Sequence, residues 1–327
     1  MSTLTHDTNS RVMGVGLVLA IVAAASFGLS GALADGLLSA GWTPITVVIL
    51  RLAIGAVCLV PFAVRDLRGK WRTLLQDWRL VLTYSALGMA LSQLGYFSAV
   101  QQMPVGPALL IEYTSPAAVV LWLWVRRGER PTVVTGVGAV IVAVGLVLVL
   151  GLLADTRLSL PGVLWALVAM IGGAGYYLLA AHPSRLPATA LTAAALVLGS
   201  LMLLVVALTG LLPLGASPSP VAFAGAEVPW WVPILALGVI SGGVAYSAGI
   251  EAVRRLGSRL ASFVGILELV FAVGFAWLLL GQTPTIVQVI GGALVLAGIV
   301  VLRLGERPQA ATAGTSEGLV VESVGRG

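Results

Sequence analysis

The sequence predicts an all-α integral membrane protein: ten transmembrane helices arranged as two five-helix repeats of opposite orientation. Three observations predict it. The first is composition, with 59% of the 327 residues hydrophobic and 9% charged and a mean hydropathy of +1.05. A soluble protein of this size carries charge at about a quarter of its positions, which this chain lacks. The second is an internal repeat: residues 98–149 align with residues 251–302 without a gap, at a constant offset of about 153. Ala99 falls on Ala252, Trp124 on Trp277, Gly128 on Gly281, Pro131 on Pro284, Thr132 on Thr285, Gly138 on Gly291 and Gly145 on Gly298. A weaker echo places Gly14 on Gly162. The third is the placement of Lys and Arg, which changes sides between the two copies.

Continuous apolar runs long enough for a membrane helix, about 20 residues each, fall at 13–33, 44–64, 79–99, 104–125, 132–152, 161–181, 188–211, 230–250, 259–280 and 285–303. The first follows the polar segment Met1–Arg11, and its length marks it as a span rather than a cleaved leader. Arg65, Arg68, Lys70 and Arg72 separate the second run from the third, the Gln102–Gly106 turn the third from the fourth, and Arg126–Arg130 the fourth from the fifth. A loop with Arg157 precedes the sixth run and one with Arg185 the seventh; a Pro/Ser/Gly-rich loop, 212–229, precedes the eighth. Arg254, Arg255 and Arg259 lie between the eighth and ninth runs, and Gly281, Gln282 and Thr283 between the ninth and tenth. The runs are continuously apolar rather than alternating every second residue, which disfavours a β-barrel.

With a cytoplasmic N-terminus, sixteen of the eighteen basic residues fall in inside loops and tails, only Arg157 lies outside, and Arg51 is left within a span. This is the positive-inside pattern, and it puts both termini in the cytoplasm. Five helices per repeat is an odd number, so the second copy enters the membrane upside down. The expected organisation is an N-terminal tail, 1–11; a first repeat, 12–152; a second, inverted repeat, 153–303; and a disordered cytoplasmic tail, 304–327. Inverted repeats characterise secondary transporters, whose substrate site lies near the midplane between the repeats.

Charges inside a span cost about 2.5–3.5 kcal/mol on insertion scales, so each has a reason. Arg51, Glu112, Glu251 and Glu268 stand out, with Asp35 near an outer helix end. In the repeat register Glu268 matches Ser115, one turn from Glu112, which directs both carboxylates toward a shared cavity from opposite halves of the membrane. A carboxylate there could exchange a proton with substrate; the alternative is a hydrogen-bonded structural carboxylate. Arg51 is expected to form a structural ion pair with Glu112 or Asp35, because a lone buried charge is expensive; the alternative is a substrate carboxylate. Glu251 is expected to pair locally with Arg254 and Arg255.

Met89, Ser92, Gln93 and Tyr96 share one helical face, Gln93 matches Tyr246 in the repeat, and Trp165, Ala169, Gly172 and Tyr176 form a second stripe. Together these residues can line a mixed apolar–polar cavity, although Tyr and Trp also serve as interfacial anchors and Gly as packing contacts. The Gly138/Gly145 and Gly291/Gly298 pairs are expected to mark a close-packed seam between the fifth and tenth spans.

Other chemistries are poorly supported. Cys58 is the single cysteine, and the two histidines, His6 and His182, lie in the N-terminal tail and at a helix end. No phosphate-binding loop, metal cluster or dense set of acid/base groups is present, which disfavours ATP use, a cofactor and a membrane enzyme. The net charge of +5 reflects loop arginines rather than a nucleic-acid-binding face. A channel or structural membrane protein is the remaining alternative to a carrier.

The stretch from Pro116 through Gly128, Glu129, Arg130 and Pro131 to Gly138 and Gly145 resembles the end of an EamA-type unit. So does Leu267-Glu268-Leu269-Val270-Phe271-Ala272 through Gly281 to Gly291, Gly292 and Gly298, and Arg51-Leu52 is similar to that family's arginine in the second span. Two such units define the ten-span transporters of the drug/metabolite transporter superfamily. The resemblance covers nearly all of residues 12–303; Leu269 stands where Pro is frequent, and Gln282 where Glu is usual. It implies a cavity lined by helices 1, 3, 4, 6, 8 and 9, with 5 and 10 behind. It also implies export of small metabolites, often amino acids, or of drugs, commonly coupled to protons. Partners are then a small-molecule substrate, the lipid bilayer and a coupling proton; the setting is a bacterial inner (plasma) membrane. Lys70, in a loop, is the only lysine, which disfavours a phosphorylated cargo. The substrate and proton pathway is assigned to Glu112, Glu268, Arg51, Gln93, Tyr96, Trp165, Tyr176 and Tyr246.

Overall fold

The structure, a computed structural model, describes residues 2–128, 132–149, 159–180 and 184–305. Glu129, Arg130, Pro131, Arg157, His182 and the tail from 306 onward lie outside the described residues.

The apolar runs become helices, several of them interrupted. Helix α1 covers Ser2–Ser39 and so continues the first span into the segment expected as a polar tail. Helix α2 covers Pro44–Asp66, with Pro44 at its first turn, where a missing N–H costs nothing. A short α3, Trp71–Gln76, leads into the third span, which is not one α-helix. It comprises α4, Trp78–Tyr84, a π-helical segment, Ser85–Leu91, and α5, Ser92–Val100. The fourth span is divided into α6, Val105–Glu112, and α7, Ser115–Arg127. Pro116, which has no N–H to donate, sits in the first turn of α7, just past this break. Helices α8, Val133–Val149, α9, Leu160–Ala180, and α10, Ala188–Leu208, follow.

The eighth span again contains a π segment, Leu237–Val244, between α11, Trp231–Ala236, and α12, Ala245–Gly265. Helix α13, Leu267–Leu280, and α14, Ile286–Gly305, complete the chain. Among the described residues, six helical stretches are long and apolar enough to cross a membrane, and Val133–Leu148, Leu160–Tyr176, Leu267–Leu280 and Ile286–Val301 are shorter apolar helices. Side chains such as Val57, Phe62, Leu121, Val140 and Leu278 are exposed on the outside of the bundle. A multi-pass membrane protein accounts for such a surface, since lipid is the solvent these residues match.

One expectation needs correction: the fold is not wholly α. The loop before α11 carries a two-stranded antiparallel hairpin, β1, Val221–Phe223, and β2, Ala226–Val228. Gly225 makes the turn at φ +92, a left-handed conformation that glycine adopts without a Cβ clash. The hairpin is tied down rather than free. Ala224 N–H donates to the Leu279 carbonyl (2.8 Å), and Phe223 lies against Gly36. Trp42 Nε1–H donates to the Ser217 carbonyl (2.9 Å).

Matched residues in the two halves make the same local structures. Gly128 and Gly281 end α7 and α13 with the same left-handed φ of +68, their N–H groups donating to Trp124 and Trp277 carbonyls at 3.0 Å. Thr132 accepts from Thr135 N–H, and Thr285 from Gln288 N–H, both at 3.2 Å. Each hydroxyl thereby caps one of the unsatisfied donors at a helix start. Shifting the π segment 85–91 by 153 residues carries it onto 238–244, within the second π segment.

Helix α8 packs along α14, α10 along α2, α5 against α9, and α1 against α12 and α13. The α8–α14 seam is as tight as its glycines suggest. A Cβ on Gly145 would meet the Gly291 carbonyl and Val295 N at 2.7 Å, and one on Gly298 would meet Val142 N at 2.8 Å and the Gly138 carbonyl at 2.9 Å.

Candidate functional site

The polar residues that cost most to embed come together in the middle of the bundle. Glu112 ends α6 at the break in the fourth span, and Glu268 lies in the first turn of α13, after the break at Ile266. Both are half-buried. Ser92 Oγ–H donates to Glu112 Oε1 (2.8 Å), and Tyr113 O–H donates to Glu268 Oε2 (2.6 Å). A hydroxyl from the N-terminal half therefore holds the carboxylate of the C-terminal half. Short O–H···O contacts of this kind are the strong, charge-assisted type when the acceptor is ionised.

Arg51 sits beside them on α2 and is 3% exposed. Its Nη1 donates to Gln93 Oε1 and its Nη2 to the Ser241 carbonyl (3.3 Å), while the guanidinium lies 5.3 Å from the Phe97 ring centroid. Ser241 is in the second π segment, where the regular α ladder is interrupted. The Ser241 hydroxyl donates in turn to the Ser26 carbonyl on α1 (2.6 Å). Arg51 thus ties α2 to α5 and to the eighth span.

The expected ion pair of Arg51 with Glu112 or Asp35 is not formed. Among the described residues, no carboxylate lies within 4 Å of the guanidinium, although Glu112 and Glu268 are within electrostatic reach. The physical reason is azimuth: α2 presents Arg51 toward Gln93, whereas Glu112 faces Ser92, the preceding residue and about 100° round α5. Asp35 instead lines a cavity of about 490 Å³ at the hairpin end, with Ser39, Phe223, Glu227 and Leu280. The local pairs at Glu251 do form, with Arg255 at 2.8 Å and Arg254 at 3.8 Å. Arg254 also reaches Asp66 at the end of α2 (3.2 Å).

The remaining expected site residues divide into two groups. Gln93 joins the cluster directly. Tyr96 is buried, with its hydroxyl against Gly31 of α1, and within the field of Glu112, Glu268 and Arg51. Tyr246 donates to Met89 Sδ (3.3 Å) and packs edge-on against Phe27 at 4.8 Å. Its hydroxyl also lies in the field of Arg51 and both glutamates. Trp165 and Tyr176 belong to the α9 packing surface. A Cβ on Gly95 would meet Ala169 N at 2.6 Å and the Trp165 carbonyl at 3.0 Å, and one on Gly172 would meet Ser92 N at 2.6 Å. Tyr176 packs on Tyr84 with ring centroids 5.2 Å apart. The α9 stripe packs directly against the third span at Ala169 and Gly172.

Sequence reasoning missed Tyr113 and Ser241 as site residues. Tyr113 had a signal, being a hydroxyl adjacent to Glu112 in the middle of a span; Ser241 acts through its backbone and had none. Among the described residues, no group of three or more His, Cys, Asp or Glu side chains is placed to hold a metal ion. The cluster can hold and release a proton or an ammonium group at two carboxylates, and it keeps one fixed positive charge behind them.

Known proteins resemble this chain in sequence or fold. The chain is 28% identical over 291 residues to the threonine/homoserine exporter RhtA of Escherichia coli K12, covering 86% of this chain and 90% of that protein. A probable terminal-alkyne amino-acid exporter of Streptantibioticus cattleyicolor is 27% identical over 271 residues, covering 81% and 86%. An uncharacterized transporter of Archaeoglobus fulgidus is 26% identical over 262 residues, covering 80% and 87%. A crystal structure of a protein 21% identical in sequence superposes with a TM-score of 0.59, covering 90% of this chain and 97% of that one, which bears on the fold. The sequence pattern of the EamA-like transporter family is matched twice, by residues 14–151 and 160–304, and the chain belongs to that family.

Proposed function

We propose that this protein is a secondary transporter that exports amino acids or related small metabolites by alternating access, with proton coupling at Glu112 and Glu268. The observation that carries the reading is the midspan cluster, in which two half-buried, hydroxyl-bonded carboxylates from different halves of the chain lie within electrostatic reach of one buried arginine. An α-amino acid brings an ammonium group, which either carboxylate can take. Proton exchange at the same groups would couple release of cargo to proton entry. Arg51 is a positioning residue: it is too enclosed to meet cargo in this conformation, and it fixes Gln93 and the Ser241 carbonyl.

Ten spans in two inverted units, residues 12–152 and 153–303, are supported by the double family match. The shared C-caps at Gly128 and Gly281 and the matched π segments support them further. Exchanging the halves carries the α1–α12 contact onto α9–α5 and leaves α2–α10 and α8–α14 in place. Such an arrangement gives a carrier two related states that open to opposite sides. The distribution of arginines supports a cytoplasmic location for both termini, and the bacterial exporters among the relatives favour an inner-membrane location.

The test is counterflow of radiolabelled threonine in proteoliposomes. Wild type is expected to show saturable exchange, which a channel would not. Glu112→Gln and Glu268→Gln are each expected to reduce it by at least tenfold. Wild-type rates and pH dependence in both variants would overturn the carboxylate assignment.

A further inference from the structure

We infer that the segment 65–79 is a docking site for the headgroups of anionic phospholipids. Arg65, Arg68, Lys70, Arg72 and Arg79 crowd into this stretch, all exposed. Its two acids are engaged elsewhere. Asp66 accepts from Thr189 and pairs with Arg254 at 3.2 Å, and Asp77 accepts from Ser184 at 2.7 Å. Among the described residues, none of the five cations has a carboxylate within 4 Å. The segment therefore keeps an excess of positive charge, five cations against two acids, one of which is already paired with Arg254.

Apolar groups set the depth at which that charge sits. Trp71, Leu75 and Trp78 are exposed; Trp71 and Leu75 fall at i and i+4 on α3 and Trp78 opens α4 just past the break at Asp77, whereas Thr73 and Leu74 are half-buried against the protein. Tryptophan prefers the headgroup level of a bilayer. The Arg79 guanidinium lies 5.4 Å from the Trp78 ring centroid, a cation–π distance that holds the charge at the level of the aromatic ring. An aromatic row beside a cluster of cations, at the point where α2 leaves the apolar zone and α4 re-enters it, fits an acyl chain next to a phosphate. A soluble anion would use the charges but leave Trp71, Leu75 and Trp78 in water. A zwitterionic lipid would use the apolar row but not the excess charge. Anionic phospholipid uses both.

The contact also bears on movement within the bundle. Asp66, at the start of the segment, is the partner of Arg254, and this pair joins α2 to α12 across the two halves. Lipid held by the flanking cations would fix the end of α2 that carries the pair.

The experiment is native mass spectrometry of the full-length protein released from bilayers of equal phosphatidylglycerol and phosphatidylcholine. A polybasic surface is worth roughly a fivefold gain in affinity per charge. Wild type is expected to retain phosphatidylglycerol in preference, and the triple variant Arg68→Gln, Lys70→Gln, Arg72→Gln to lose that preference by at least fivefold. Arg68→Lys with Arg72→Lys, which preserves the charge, should keep it. Unchanged phosphatidylglycerol retention in the triple variant would overturn the proposal. So would an equal loss of both lipids, which would mean damage to the fold rather than loss of a headgroup contact. A second measurement excludes a purely electrostatic surface: brominated phosphatidylglycerol should quench wild-type fluorescence more than it quenches a Trp71→Phe, Trp78→Phe variant. Equal quenching would place the row out of lipid and overturn the docking geometry.

Discussion

Replacing Tyr113 by Phe removes one hydroxyl and leaves the ring, so it isolates the bond that holds Glu268. That bond is 2.6 Å long. A hydrogen bond to a charged group contributes about 1.5–3 kcal/mol, equivalent to about 10- to 150-fold in a rate or equilibrium constant. The acceptor is half-buried, so water can replace part of the loss, and the lower end, about tenfold, is the expected value. Only a contact that differs between states of the cycle changes the rate; one kept throughout leaves it unchanged. The assay is initial-rate threonine counterflow in proteoliposomes, with Ser92→Ala as the matching deletion at Glu112, whose bond is 2.8 Å. Tyr113→Phe is expected to slow exchange by about tenfold and Ser92→Ala by somewhat less, in keeping with a longer bond. If both variants exchange at the wild-type rate while the two Glu→Gln variants are inactive, the carboxylates work without their hydroxyl partners and the reasoning fails.

Two further outcomes test the packing. Gly145→Ala should destabilise the protein by about 1–3 kcal/mol through overpacking of the α8–α14 seam, because its Cβ would meet backbone at 2.7 Å. Gly136→Ala, on the same helix with nothing within 4 Å of its Cβ, should stabilise it by about 0.5–1 kcal/mol; thermal unfolding in detergent reads both, and equal melting temperatures would refute the seam. Trp42→Phe removes the donor to the Ser217 carbonyl at a net cost of about 1 kcal/mol. Limited proteolysis should then cut the segment 209–230 about fivefold faster, and an unchanged cleavage rate would show that other contacts hold the loop.

Position along the helices was legible in the sequence; azimuth was not. Apolar runs place Arg51, Glu112 and Glu268 within helices of the bundle, but the direction each faces depends on how helices pack. Arg51 therefore reaches Gln93 and a backbone carbonyl where charge alone suggests a carboxylate. Glycine spacing did carry azimuthal information at Gly145 and Gly298, because a residue without a side chain marks where another backbone must approach. Tyr113 was overlooked because it is one residue, about 100° of helix, from Glu112 and so off the stripe that a periodicity search follows. The hairpin was hidden for a different reason: three-residue strands are too short for alternation to register, and the Pro, Ser and Gly around them read as loop. The breaks at Tyr113–Thr114 and Ile266 had partial signals in Pro116 and in the repeat register. The π segments contain no residue that forbids an α-helix.

Those two π segments have a consequence for the site that is a matter of helical phase. A π turn accommodates about one residue more than the α ladder around it, and one residue corresponds to about 100° of rotation. Ser92, Gln93 and Tyr96 follow the first segment directly, and Tyr246 follows the second. Relative to an uninterrupted helix, each is turned by roughly that angle. The contacts Ser92–Glu112, Gln93–Arg51 and Tyr246–Met89 therefore depend on a count of backbone residues as much as on side-chain identity. The same side chains on two uninterrupted α-helices would face other neighbours.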